Sequence, residues 1–397
     1  MFLTGRPDGP GLGGPVALIE LVETAAAVLS RHGGRRPPID GLALLGERAA
    51  IASLGRRGDV SCGGGARLLR AADGWLAASL PRLDDEAAVS AWLEEDVPAG
   101  DPWPAVEASV ARRAVAELDA RAALLGLPIA AVSSVGAPDE SFGLPIPALP
   151  FGPGEGPSAL SGTTVVDLSA LWAGPLCGQL LGECGARVIK VESTSRPDGA
   201  RAGPPAFFDL LNGGKESVVL DLQSSVGRGD LRRLLMTADI VIESNRPRAL
   251  EQMGIVAGDL LSASSGPRVW VSITSHGRSM GERVGFGDVA AAAGGLVVFD
   301  AAGACFVADA VADPLTGLVA AAAVSEALAA GGRWLLDAGM APLAASVAGA
   351  PLDVSQLQAQ PPQTRVSARP AAELGTGTAA MLADLATGSA ASGIPGS

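Results

Sequence analysis

Two periodicities divide the chain. Over residues 15–130 apolar positions recur mostly at the three-to-four spacing of a helix face. "VALIELVETAAAVLSRHGG" has an apolar stripe and a glycine stop, and "DEAAVSAWLEED" opens with acids. "WPAVEASVARRAVAELDARAALLGLP" reads as one further helix. Between them "ARLLRAADGWLAASLPR" holds two short apolar runs around Asp73-Gly74, which predicts a β-hairpin. Residues 136–160 are rich in Pro and Gly and read as a linker. From residue 163 the pattern changes. "TTVVDL", "ARVIKVES", "SVVLDL", "DIVIES" and "RVWVSITS" are short apolar strands. They alternate with the helical segments "GPLCGQLLGECG", "VGRGDLRRLLMTA" and "RALEQMG". Buried strands alternating with helices predict a parallel sheet with crossover helices.

The expected architecture is therefore α/β: a large, doubly wound, mostly parallel (Rossmann-like) domain over 161–385, and a smaller α+β domain over 1–135. Residues 386–397 are small and are expected to be disordered. Ligands in such sheets bind at the carboxyl ends of the strands. No G-x-G-x-x-G follows the first strand, so a dinucleotide is not the expected ligand.

Composition narrows the function. A formal net charge of −13 argues against nucleic acid as the main partner. It leaves room for an anionic small molecule held by local Arg, Lys and backbone N–H groups. The four cysteines form no CxxC pair, and the only histidines are His32 and His276, so no metal site is expected. The first fifteen residues lack the charged and apolar regions of a signal peptide, and the Ala-rich runs are interrupted. A soluble, cytoplasmic protein with no membrane span is the expectation.

The stretch "CFVADAVADPLTGL" carries two aspartates, Asp309 and Asp313. Asp313 before Pro314 fits an N-cap followed by proline at the first helical position. The same helix end favours an ionised carboxylate, and an ionised carboxylate can attack an activated acyl carbon. Position alone leaves both roles open.

The company this stretch keeps is informative. "VVDLSALWAGPLCGQLLGECGARVIKVES", "FFDLLNGGKESVVLDL", "ADIVIESNRPRALEQMGI", "VWVSITSHG", "GFGDVAAAAGGLVV" and "VADPLTGLVAAAAVSEAL" run in order from Val165 to Leu328. Together they resemble the family III CoA transferases, a group that includes formyl-CoA and carnitine CoA transferases and α-methylacyl-CoA racemase. The resemblance implies Asp313 as the nucleophile, with Asp309 as the alternative. It implies coenzyme A as the carrier, an acyl-CoA and a carboxylic acid as substrates, no metal, and a homodimer of interlocked protomers. For coenzyme A it points to Leu171, Trp172 and Ala173 after the first strand, to Arg196 and Arg201, and to Lys215. Asn245 and Arg246, with Arg248, stand near the position where the family's arginine is Gln252 here.

Two departures matter. The family's smaller domain normally follows the catalytic helix. Here "PPQTRVSARPAAELGTGTAAMLADL" already resembles the family's C-terminal end, and "SCGGGARLLRAADGWLAASL" resembles its glycine loop and strand. The domain order is thus rearranged, with Gly63, Gly64 and Gly65 as a flap over the acyl site or an ordinary loop before a hairpin. The racemase branch has a His-Asp pair whose histidine removes the α-proton; Phe286 and Gly287 stand there, with Asp288 one residue off. A phenyl ring carries no proton, so transfer is favoured over racemisation. An isomerase using another base and a non-catalytic CoA-binding subunit are the alternatives. His276 is the only histidine near the site; His32 sits at a helix end.

Overall fold

The computed structural model describes residues 2–32, 39–98, 100–152 and 156–387. Among the described residues, twelve strands form three sheets. β1 (Ala66–Arg70), β2 (Trp75–Ser79) and β3 (Ile129–Ala131) make an antiparallel sheet in that order. β4 (Ala148–Pro150), β5 (Thr164–Asp167), β6 (Arg187–Ser193), β7 (Glu216–Leu220), β8 (Ile240–Glu243) and β9 (Val269–Thr274) follow. β10 (Val297–Asp300) and β11 (Gly303–Phe306) form a separate hairpin, and β12 (Trp334–Gly339) is last.

The large sheet has the order β4-β12-β9-β8-β5-β6-β7. All its pairings are parallel except β4 with β12. The six parallel strands run outward in both directions from β5, so the order reverses between β5 and β8. That reversal opens a crevice at the strands' carboxyl ends. Helices cover both faces. On one, Ala173–Glu183, Ala312–Ala330 and Val16–His32 pack together; on the other lie Ser225–Leu235, Ala257–Ser262 and Thr378–Thr387.

The five strands expected from the alternation are all present, as is the hairpin at Asp73-Gly74, where Arg70 pairs with Trp75. Other expectations need correcting. The segment read as linker contributes β4, because "ALP" finds an open edge on β12. The segment read as one helix over 103–128 is two, Trp103–Val110 and Val115–Leu125. The hairpin turn interrupts it: Ala72 donates to the Arg113 carbonyl, and Asp73 accepts from the Val115 N–H. Of the tail read as disordered, Ala386 and Thr387 end a helix, and residues 388–397 lie outside the described residues. Finally, Ala312–Ala330 is long and apolar enough to cross a bilayer, contrary to expectation. Most of it is buried inside the protein, as befits a helix with no polar face. Gly317 lets it approach the Ala173–Glu183 helix, for a Cβ there would lie 2.7 Å from the Ala173 carbonyl oxygen.

Candidate functional site

A cavity of about 400 Å³ opens at the crevice. Ala170, Leu171, Ala173 and Gly174 reach it after β5, Ser244, Asn245 and Arg246 after β8, Thr274 and Ser275 after β9, and Met340 after β12. Leu171 sits in a left-handed conformation (φ 69°), its N–H held by Asp198. This turn carries the chain from β5 into the Ala173–Glu183 helix.

Asp313 lies on the cavity wall. It is not an N-cap: the helix begins at Ala312, so Asp313 belongs to its first turn. Pro314 is tolerated there because first-turn N–H groups have no intrahelical acceptor. Its carboxylate instead accepts hydrogen bonds from the backbone N–H groups of Ala173 and Gly287. Each of these is the first residue of another helix. Three helix N-termini thus converge on one carboxylate. Burial still outweighs them, and the Asp313 pKa is pushed up to about 6 despite the nearby Arg48.

Three carboxylates share that one cation. Asp309 is fully buried and bonds Arg48 through both oxygens, at 2.8 and 2.5 Å. It does not line the cavity. Asp288 accepts the Ala310 N–H at 3.1 Å, and burial, reinforced by Asp309 and Asp313, pushes it up to about 7.

The cavity rim is cationic in an acidic protein: Arg82, Arg196, Arg246, Arg248 and Arg283 all reach it. Arg246 and Arg248 approach Glu282 at 3.8 and 3.4 Å, and Arg283 is held by Asp119. Arg196 is exposed and has no acidic partner among the described residues. Arg82 and Arg283 carried no signal in the sequence, since neither falls within a recognisable motif.

Other expected residues lie elsewhere. Lys215 is buried beneath the sheet end, donating to Asp167, to the Pro175 carbonyl and to Asn212 at 2.8, 2.8 and 3.1 Å. It is a core ion pair rather than a phosphate ligand. Lys215→Met should therefore cost about 3–5 kcal/mol of stability, because it strands the buried Asp167. CoA affinity should be unchanged; denaturant melts and calorimetric titration check both. Arg201 is likewise turned from the cavity, bonded to Glu192 and lying over the Phe208 ring at 4.5 Å. Trp172 is buried edge-on to Phe207 and offers the cavity no ring face.

Gly63, Gly64 and Gly65 do not line the cavity. They form a turn closed by the Gly64 N–H on the Ser61 carbonyl, with Gly64 at φ 81°, and, of the three, Gly63 neighbours Arg48. His276 is buried away from the cavity, pushed down to about 4 by burial and by Arg283, and so stays neutral. His32 ends its helix and approaches Glu326 at 3.4 Å. Phe286 lines the cavity where the racemase branch carries its histidine. No cluster of three His, Cys, Asp or Glu side chains suited to a metal occurs among the described residues.

Part of the chain is similar in sequence to known proteins. The chain is 32% identical over 149 residues to the succinyl-CoA–D-citramalate CoA-transferase of Chloroflexus aurantiacus, covering 35% of this chain and 37% of that one. It is 37% identical over 133 residues to the succinate–glutarate CoA-transferase of Agrobacterium fabrum, covering 30% and 33%. A probable fatty acyl-CoA transferase of Mycobacterium tuberculosis is 36% identical over 150 residues, covering 34% and 37%. The match spans about a third of the length of these relatives. The model of CoA-transferase family III matches residues 160–358, half of the chain, which holds Asp313 and every rim arginine named above except Arg82. The protein belongs to CoA-transferase family III.

Proposed function

We propose that the protein moves coenzyme A from an acyl-CoA donor to a carboxylic acid acceptor, with Asp313 as the nucleophile. The observation that supports this most is a carboxylate at the sheet's switch point, on the wall of a cavity rimmed by arginines. Asp313 attacks the thioester carbonyl, the C–S bond breaks, and CoA thiolate leaves an acyl–aspartyl anhydride. The thiolate then attacks the aspartyl carbonyl, releasing the donor acid as its carboxylate and leaving an aspartyl-CoA thioester. The acceptor carboxylate attacks that thioester, and the same steps in reverse release the new acyl-CoA. The N–H groups of Ala173 and Gly287 lie where they would stabilise oxyanions forming on the Asp313 carboxyl group. Asp309 suits the nucleophile's role less, since Arg48 occupies both its oxygens.

Coenzyme A would lie along the arginine rim, its phosphates near Arg196, Asn245 and Arg246. Residues 1–135 would take the place of the family's smaller domain, with 63–65 as its glycine loop, and the protomer would pair with a second copy. We place the enzyme in the cytoplasm. The isomerase alternative is weaker, because neither His276 nor Asp288 lines the cavity.

Incubation with succinyl-CoA, followed by hydroxylamine cleavage and peptide mass mapping, should place the covalent adduct at Asp313. An adduct elsewhere, or α-deuterium uptake from heavy water without an acceptor acid, would defeat the reading. The reaction needs the ionised carboxylate. Transfer activity (kcat/KM) should therefore fall about tenfold per pH unit below the Asp313 pKa of about 6 and level off above it.

A further inference from the structure

We propose that Arg48, from the N-terminal part of the chain, is a positioning residue for this reaction: through Asp309 it fixes the loop that presents Asp313, and it supplies the cation that Asp313 faces. The inference rests on the transferase reading of Asp313.

Asp309 is the first observation. A carboxylate wholly withdrawn from water is costly to keep unless it is well paired, and a forked two-point bond to arginine is the strongest pairing available. The backbone is the second. Ala308 and Ala310, on either side of Asp309, both have left-handed conformations (φ 52° and 44°) that non-glycine residues adopt at a cost. Such a loop persists only when its surroundings overdetermine it. Thr4 accepts the Ala308 N–H, Cys62 donates to the Ala308 carbonyl, and Asp288 accepts the Ala310 N–H. Thr4, Arg48 and Cys62 all come from the N-terminal part, so that part sets the loop's shape. The connection to Asp313 is short: the Asp313 N–H donates to the Ala310 carbonyl.

Arg48 also touches the other side of the site. Its guanidinium lies over the Trp172 ring, 5.0 Å from the centroid, and Trp172 precedes the Ala173 N–H that bonds Asp313. A Cβ on Gly63 would lie 3.4 Å from the same guanidinium. The helix that bears Arg48 is anchored in turn, for the adjacent Glu47 is buried and bonds Arg365. The charged groups facing Asp313 are Arg48, Asp309 and Asp288. The Cys62 thiol nearby is pushed up to about 12 and stays neutral. Arg48 itself does not line the cavity, so it acts through these neighbours.

The test is a carbon-13 carboxyl titration of the full chain, with the Asp313 resonance assigned by its loss in Asp313→Asn. In Arg48→Gln the Asp313 midpoint should rise by about one to two pH units. In Asp309→Asn, which removes a like charge and leaves Arg48 unopposed, it should fall. Arg48→Lys keeps the cation but loses the fork. Its midpoint should stay near the wild-type value, while the rate of acylation by succinyl-CoA at alkaline pH drops about tenfold or more. A wild-type midpoint in Arg48→Gln, or a rise in both Arg48→Gln and Asp309→Asn, would overturn the proposal. If Arg48→Gln does not fold, the other two variants decide: a parental acylation rate in Arg48→Lys, or a raised midpoint in Asp309→Asn, would overturn the proposal. Wild-type acylation, read separately by intact mass, tests the transferase reading. Its absence beside shifted midpoints would remove that reading and keep the electrostatic role.

Discussion

Asp313→Asn is expected to lower CoA transfer by about 10⁴-fold or more while leaving CoA affinity near that of the parent protein. The amide keeps the side chain's volume but removes the attacking oxyanion, and the arginine rim is untouched. Transfer assays with calorimetric CoA titration check this. The same variant should be more heat-stable than the parent near pH 8 and not near pH 4. The sign follows from the raised folded-state pKa. Protonated Asp313 suits the folded protein, so the associated stability is fully present below the unfolded-state value. It is lost as pH rises through about 6. At pH 8 the parent bears the whole penalty of a buried charge, and the neutral amide escapes it. Full transfer activity in Asp313→Asn would exclude Asp313 as the nucleophile; an absent pH-dependent stability gain would show that the carboxylate is not strained.

Gly287→Ala should be the next most damaging change, lowering kcat/KM by about 10²-fold or more together with the melting temperature. A Cβ at this position would collide with the Asp313 carboxylate and would lie 2.5 Å from the Ala310 carbonyl oxygen and 2.9 Å from its Cβ. The close approach that brings the Gly287 N–H to Asp313 therefore excludes any side chain. Steady-state kinetics and a thermal melt read the two effects; an alanine variant with parental values of both would mean that the loop yields freely.

Much of this was legible in the sequence. The strands at 164–167, 187–193, 216–220, 240–243 and 269–274 announce themselves because burial on both faces demands continuous apolar runs. The glycines and Pro314 around the Ala312–Ala330 helix likewise mark where it starts and stops. β4 was hidden by its prolines, which locally signal a linker, and its pairing depends on a partner almost two hundred residues away. Lys215 misled for a related reason. Lysine is normally solvated, and nothing in "NGGKES" reveals that Asp167 waits beneath the sheet end. Arg48 and Asp309 are separated by 261 residues in sequence, and no periodicity links two such positions. Asp313 stood out as a candidate nucleophile only through the resemblance; its N-cap reading by position was off by two residues, since Val311 caps the helix.

The small strand β4 has a consequence for how this molecule can be divided. It lies before residue 160, outside the segment that matches the family, yet it saturates the Trp334–Leu336 stretch of β12. A fragment cut to the matched segment would leave those amide and carbonyl groups bare, a template for strand addition by neighbouring molecules and hence for aggregation. In the intact chain the outermost position falls to a three-residue strand ending in Pro150, which has no N–H to offer a newcomer. The edge of the matched segment's sheet is thus closed by residues that lie outside that segment.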